Sequence, residues 1–242
     1  MAINKLYDSY DKAVADVPDG AVILIGGFGG IAPVPQNLIQ ALQRQGAKNL
    51  TIVSNNAGVD GRIGLGNIGG KPYLDHEILV TNGQVKKFVG AVPASIIVSR
   101  PNAFEPLYRE GKIELETVPQ GTLAERIRAG GAGIGAFYTP VGIGTEIADG
   151  KETKVINGKD MLLEYGLRGD YAIIRAYKAD TMGNLVYTGV MRTFNAVMAT
   201  AADIVIAEVD EIVEPGEIDP EVIVTPGIFV DRIVKIKKGD LR

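Results

Sequence analysis

The sequence predicts an α/β fold: a single open domain over residues 1–242, with a mostly parallel central sheet flanked by helices and a small antiparallel annex near residues 150–190. Three observations carry this. A continuous apolar run of strand length at 21–25 has the pattern of a strand buried on both faces, and the runs at 50–54 and 204–209 read as further strands, the latter buried. A glycine-rich loop and a segment of helical period separate the first two runs, which is the order of a βαβ unit with a right-handed crossover. No Ser/Pro linker, internal repeat or low-complexity segment divides the chain.

The elements follow in order. Leu6, Tyr7, Tyr10, Ala13 and Val14 recur at helical spacing and predict an amphipathic helix, closed by the turn Pro18-Asp19-Gly20. After strand 21–25 and its glycines, Leu38, Ile39, Ala41 and Leu42 predict a helix that Pro35 opens and Gly46 closes. Residues 78–80 and 86–90 read as short strands, and Phe104, Leu107 and Tyr108 as a helix. Ile113, Leu115 and Thr117 alternate with Glu114 and Glu116, the period of a half-exposed strand. Leu123, Ala124 and Ile127 mark a helix ending at Gly130-Gly131, with Thr122 as its cap and Glu125 at the capping-box spacing. Asn157-Gly158 between 154–156 and 161–165 predicts a hairpin. A strand at 171–177, a turn at 180–184 into 185–187, a helix over 192–202 and strands at 204–209 and 228–234 complete the chain, before a charged, solvated tail from 235 onward.

Composition excludes whole classes. The 242 residues carry 25 Lys and Arg against 29 Asp and Glu, a net charge of −4 with no basic run, which disfavours nucleic-acid binding. Cysteine is absent, so disulfides, thiolate metal sites and Cys nucleophiles are excluded, in keeping with a cytoplasmic protein. The one histidine, His76, rules out a multi-His metal or catalytic centre; flanked by Asp75 and Glu77, it reads as a surface-loop residue. No signal-peptide hydrophobic region and no membrane span are expected. The acidic residues Glu208, Asp210, Glu211, Glu214 and Glu217 read as a solvated strand face and loop rather than a metal site. Met182, Met191 and Met198 read as core filler.

Three strand exits hold the candidate chemistry. Gly26-Gly27-Phe28-Gly29-Gly30-Ile31-Ala32 follows a buried strand and precedes a helix, and Gly27, Gly29 and Ala32 formally satisfy the dinucleotide fingerprint. Such a loop allows close backbone approach and anion binding at the helix start. The acidic residue expected at the end of the next strand is missing, since that strand ends Ser54-Asn55-Asn56. Asn55 both donates and accepts, so it orients a polar substrate without adding charge, or simply forms a turn. Gln120 stands at the third exit, within Pro119-Gln120-Gly121. The alternative readings of this edge are an NAD(P)-dependent oxidoreductase and a non-catalytic regulatory subunit that binds a small molecule.

Several segments carry a resemblance: Gly26-Gly27-Phe28-Gly29; Val53-Ser54-Asn55-Asn56-Ala57-Gly58-Val59-Asp60; the run from Pro119-Gln120-Gly121-Thr122-Leu123-Ala124-Glu125-Arg126 to Gly133; Ala136-Phe137-Tyr138-Thr139-Pro140; Phe194-Asn195; and Thr225-Pro226-Gly227-Ile228. In order along nearly the whole chain, they resemble the A (alpha) subunit of the 3-oxoacid CoA-transferases, the succinyl-CoA:3-ketoacid and acetate–acetoacetate group of family I. The pattern is departed from at Ala32, which stands near an expected glycine, and before Pro35, where the stretch is one residue longer; the segment 61–99 is also less similar.

The resemblance implies transfer of CoA between a short-chain acyl-CoA (succinyl-, acetyl- or butyryl-CoA) and a 3-oxoacid such as acetoacetate, by ping-pong chemistry through a glutamyl-CoA thioester. It implies that the nucleophilic Glu lies in a Glu-Asn-Gly context on a partner beta subunit; this chain lacks that tripeptide. It therefore implies a heterodimer or heterotetramer, no permanently bound cofactor, coenzyme A thioester as substrate, and no catalytic nucleophile here. The loop Gly26, Gly27, Phe28, Gly29, Gly30, Ile31 and Ala32 would face CoA and the oxyanion, and Asn55 and Gln120 would bind substrate.

Overall fold

Alternation along the central strands decides the architecture. β2 (Val22–Ile25) sends Ile23 and Ile25 to one core and Leu24 to the other. β3 (Leu50–Val53) divides Leu50 and Ile52 from Val53, and β4 (Val85–Gly90) divides Phe88 from Val89 in the same way. Strands apolar on both faces need cover on both. The computed structural model describes residues 4–29, 32–59, 73–95 and 99–241. In it, α1 (Tyr10–Ala13), α2 (Gln36–Gln45), α3 (Glu77–Thr81) and α4 (Phe104–Arg109) contribute to one core. α5 (Gln120–Gly131) and α6 (Thr193–Met198) contribute to the other.

Eight strands lie side by side in the order β1 (Leu6–Tyr7), β12 (Arg232–Lys235), β11 (Ala202–Val213), β9 (Gly169–Asp180), β2, β3, β4 and β5 (Glu114–Thr117). Every neighbouring pair in that row is parallel. β10 (Leu185–Val186) adds an antiparallel pair to β9. β6 (Ala136–Thr139), β8 (Lys159–Tyr165) and β7 (Thr153–Ile156) form a separate antiparallel sheet. Its hairpin turns at Asn157 and Gly158, with φ of 51° and 72°, the left-handed pair that the Asn-Gly signal implies. Gly46 closes α2 at φ 88°, donating its N–H to the Leu42 carbonyl. Among the described residues, no helix is long and apolar enough to cross a membrane.

The structure corrects several elements. The annex spans 136–165 instead of 150–190, because residues 169–180 run into the middle of the main sheet between β11 and β2. The first helix splits: Leu6 and Tyr7 pair with β12 as an edge strand, and α1 starts only after Ser9, whose Oγ accepts from the Lys12 N–H. Residues 78–80 are helical, part of α3; a short apolar run cannot be assigned by period alone, and here the Thr81 hydroxyl donates back to the Glu77 carbonyl. α5 begins at Gln120, two residues before the expected cap, so Thr122 is buried inside its first turn. Glu125 pairs with Arg128 and forms no capping box. α6 is shorter than 192–202, and the last strand starts at Arg232 after a 3₁₀ turn at Gly227–Phe229. The tail is docked. Ile236 is buried, and Leu241 exchanges two hydrogen bonds with the Asn37 side chain, at 3.0 and 3.1 Å.

Candidate functional site

Because β2, β3, β4 and β5 are parallel, their C-terminal ends open on one edge, where ligands of open α/β sheets bind. Backbone hydrogen bonds tie the exits together. The Asn55 carbonyl accepts from Ala91 and Val92, both at 3.0 Å, and the Val118 N–H donates to Gly90 at 2.9 Å.

The glycine-rich exit is closed upon its own protein. A Cβ on Gly26 would lie 2.1 Å from Asn195 Oδ1, and one on Gly27, at φ 95°, would lie 2.4 Å from the Pro33 carbonyl. These glycines let neighbouring protein approach the loop. Asn195 is fully buried: its Oδ1 accepts from the Arg175 N–H, and its Nδ2 donates to the Pro33 and Met191 carbonyls. Ala32 folds back, donating to the Phe28 carbonyl at 2.8 Å. Phe28 is the half-buried member of the described loop; Gly30 and Ile31 lie outside the described residues.

The helix that follows has no free N-terminus. The Glu208 carboxylate accepts from the backbone N–H groups of Asn37 and Leu38, each at 3.0 Å, and from Asn37 Nδ2 at 2.8 Å. Glu208 is fully buried, and that burial pushes its pKa up to about 7 against the opposing pull of Arg175 and the three donors. Arg175 stands 3.9 Å away and pairs with Asp210 at 2.8 Å. Glu208 was expected on a solvated strand face. It is instead interior because β9 and β12 flank β11 and helices cover its surfaces. The anion site that a dinucleotide fold leaves open at this helix is filled by the chain's own carboxylate.

The next exit carries Asn55, fully buried, with neither Oδ1 nor Nδ2 hydrogen-bonded among the described residues. An unsatisfied buried amide is costly, so its retention points to a use. The third exit places Gln120, exposed, at the start of α5. Phe28, Gln120, Gly121, Ala124, Thr193, Phe194 and Val197 line a cavity of about 310 Å³. None of these side chains is ionisable. The structure thus brings Phe28 and Gln120 to one cavity, with Asn55 on a neighbouring strand exit outside that lining.

Two other expectations change. His76 is buried, its Nε2 2.6 Å from the Asn56 carbonyl, instead of lying on a surface loop. Met182 is exposed, while Met191 and Met198 are core. Sequence reasoning misplaced Glu208 and assigned no role to Arg175 or Asn195. The available signal for Glu208 was a single acid inside the apolar run 204–209.

The family model described as Coenzyme A transferase matches residues 7–236. The chain is 50% identical over 234 residues to the A (alpha) subunit of the 3-oxoadipate CoA-transferase of Pseudomonas putida, covering 97% of this chain and 94% of that one. It is 45% identical over 240 residues to the A (alpha) subunit of the succinyl-CoA:3-ketoacid coenzyme A transferase of Helicobacter pylori strain J99, covering 99% and 96%. An acyl-CoA transferase of Escherichia coli O157:H7, solved as a thioester complex with CoA, superposes with a TM-score of 0.78 at 25% identity. That match takes in 96% of this chain and 47% of the solved one, so this chain spans about half of that protein.

Proposed function

The chain belongs to the coenzyme A transferase family, and from that premise we propose that it is the alpha half of a two-subunit enzyme. The complete enzyme moves CoA from a succinyl-type thioester to a 3-oxoacid, and a companion beta subunit brings the glutamate nucleophile. The observation that carries this is the strand-end cavity. It is lined at the described positions by neutral side chains alone, so it holds a substrate and offers no carboxylate to attack it.

In this reading the companion's glutamate attacks the acyl-CoA carbonyl, giving an acyl–glutamyl anhydride and CoA thiolate. The thiolate attacks the glutamyl carbonyl, releasing the first acid and forming the glutamyl-CoA thioester; the second acid reverses the two steps. The Gln120 amide donates to the oxyanion that develops at the attacked carbonyl, which for a well-placed donor is worth about 3 kcal/mol of barrier. Asn55 offers a donor and an acceptor with no hydrogen-bond partner among the described residues. The loop from Gly26 to Ala32 sets Phe28 against the substrate. Apolar side chains left open around the ends of β9 and β10, among them Met182, Val190 and Ile228, are suited to cover by the companion.

The relatives named above act on 3-oxoadipate and on 3-ketoacids, so 3-oxoacids as a class are the acceptors to assay. The test is co-expression with the companion, followed by succinyl-CoA-dependent formation of acetoacetyl-CoA or 3-oxoadipyl-CoA. The complex is expected to be active and the isolated chain inactive. Full turnover by the isolated chain contradicts the proposal.

A further inference from the structure

The chain has one histidine, and the mechanism above does not use it. His76 is buried immediately before α3, with Nε2 2.6 Å from the Asn56 carbonyl oxygen. A carbonyl only accepts, so Nε2 carries the proton. Nδ1 is buried with no partner among the described residues, so the imidazole is committed to this one bond.

That bond holds a loop with little freedom. The Asn56 side chain donates from Nδ2 to the Gly29 carbonyl at 3.4 Å and accepts at Oδ1 from the Gly58 N–H at 3.1 Å. A Cβ on Gly29 would come within 2.8 Å of Asn56 Oδ1, and one on Gly58 within 2.5 Å of Glu77 Cβ. The residue before His76 grips the same loop, the Asp75 carboxylate accepting from the Val59 N–H at 2.9 Å and from the Glu77 N–H at 2.9 Å. Asn55, by contrast, has no side-chain hydrogen bond of its own among the described residues. Its orientation is inherited from its backbone, fixed by Ala91 and Val92 on one side and through Asn56 by His76 on the other.

We propose that His76 is a positioning residue of the transferase site: through the Asn56 carbonyl it sets the loop that aims Asn55 at the substrate and holds the Gly29 turn. This rests on the reading of Asn55 as a substrate-binding residue. His76→Leu removes the donor, whereas His76→Gln keeps an N–H that reaches toward the carbonyl.

The assembled complex provides the test, and activity of the unsubstituted complex is read first, because that result bears on the proposed function alone. His76→Leu is expected to lower kcat about tenfold or more with KM changed less than about twofold, since small misplacements of binding groups cost rate out of proportion to affinity. His76→Gln is expected to recover to within about threefold of the parent. In an Asn55→Ala background, His76→Leu is expected to add less than about twofold, because residues acting through one another are non-additive. Equal losses in the Leu and Gln variants, or losses that multiply with Asn55→Ala, overturn the proposal.

A second readout needs no variant. With only this chain ¹⁵N-labelled, its one imidazole gives a single pair of nitrogen resonances. They are expected to show the Nε2–H tautomer and to shift when succinyl-CoA is added. An Nδ1–H tautomer, or resonances indifferent to substrate in an active complex, overturns the assignment.

Discussion

The tripeptide Val-Pro-Gln opens two helices of this protein, α2 at Val34-Pro35-Gln36 and α5 at Val118-Pro119-Gln120. Both follow a parallel strand, and neither has a hydrogen-bonded side-chain cap from its N-cap residue. The two starts are completed differently. At α2, Gln36 is buried with its Oε1 accepting from the Leu74 N–H, and Glu208 fills the helix end from across the sheet. At α5, Gln120 and Gly121 are exposed and line the cavity, and the first turn holds no acid. A positive helix end is useful to an anionic substrate only if the protein has not already neutralised it. The difference separates a start filled by the chain's own carboxylate from one left open, which the proposed function uses for substrate.

Four substitutions break or sharpen that contrast. The largest effect is expected at the filled end. Glu208→Leu leaves three buried donors without their acceptor, while Arg175 keeps Asp210, at a cost of about 3–5 kcal/mol in urea unfolding. A loss below about 1 kcal/mol would show that the buried cap is dispensable. At the open end the effect moves from stability to rate. Gln120→Ala is expected to slow turnover of the complex about a hundredfold while stability stays within about 0.5 kcal/mol. Unchanged turnover removes Gln120 from the site. Gly121→Asp gives the open end an acid of its own, and a Cβ at Gly121 meets nothing within 4 Å. It is expected to raise KM for the acid substrates about tenfold with an unchanged or slightly higher Tm; an unchanged KM would mean that the anion binds elsewhere.

The smallest effect is a pH slope. Burial raises the Glu208 pKa from 4.5 to about 7, so the folded state binds this proton more tightly than the unfolded chain does. The stability tied to this group is complete below 4.5 and is lost as pH rises through about 7. Glu208→Gln abolishes that titration. Its stability relative to the parent is expected to improve across the interval and level off above it, and a gap moving the other way contradicts the assignment.

What the sequence made legible follows from range. β2 was readable because a strand covered on both faces becomes apolar throughout, and the Asn-Gly hairpin because its turn chemistry is local. Gln120 and Asn55 stand out in the sequence as polar residues just past strand ends, and the family resemblance adds the substrate-binding role proposed for them. Glu208 and His76 were misread because their partners lie far along the chain. Glu208 meets Asn37 across 171 residues, and His76 meets Asn56 across 20. The flanking acids made both look solvated. In fact Asp75 is spent on the Val59 and Glu77 N–H groups, and Glu77 Oε1 on that of Ala103. The glycine loop was legible as a site of close approach; what approaches Gly26 and Gly29 is Asn195 and Asn56.

The most direct measurement is borohydride reduction of the complex during turnover with succinyl-CoA, followed by mass spectrometry of the separated polypeptides. Borohydride converts a glutamyl thioester to the alcohol. The account predicts that loss of one carboxylate on the companion polypeptide, with this chain recovered at its unmodified mass. A reduced glutamate mapped to this chain would contradict it.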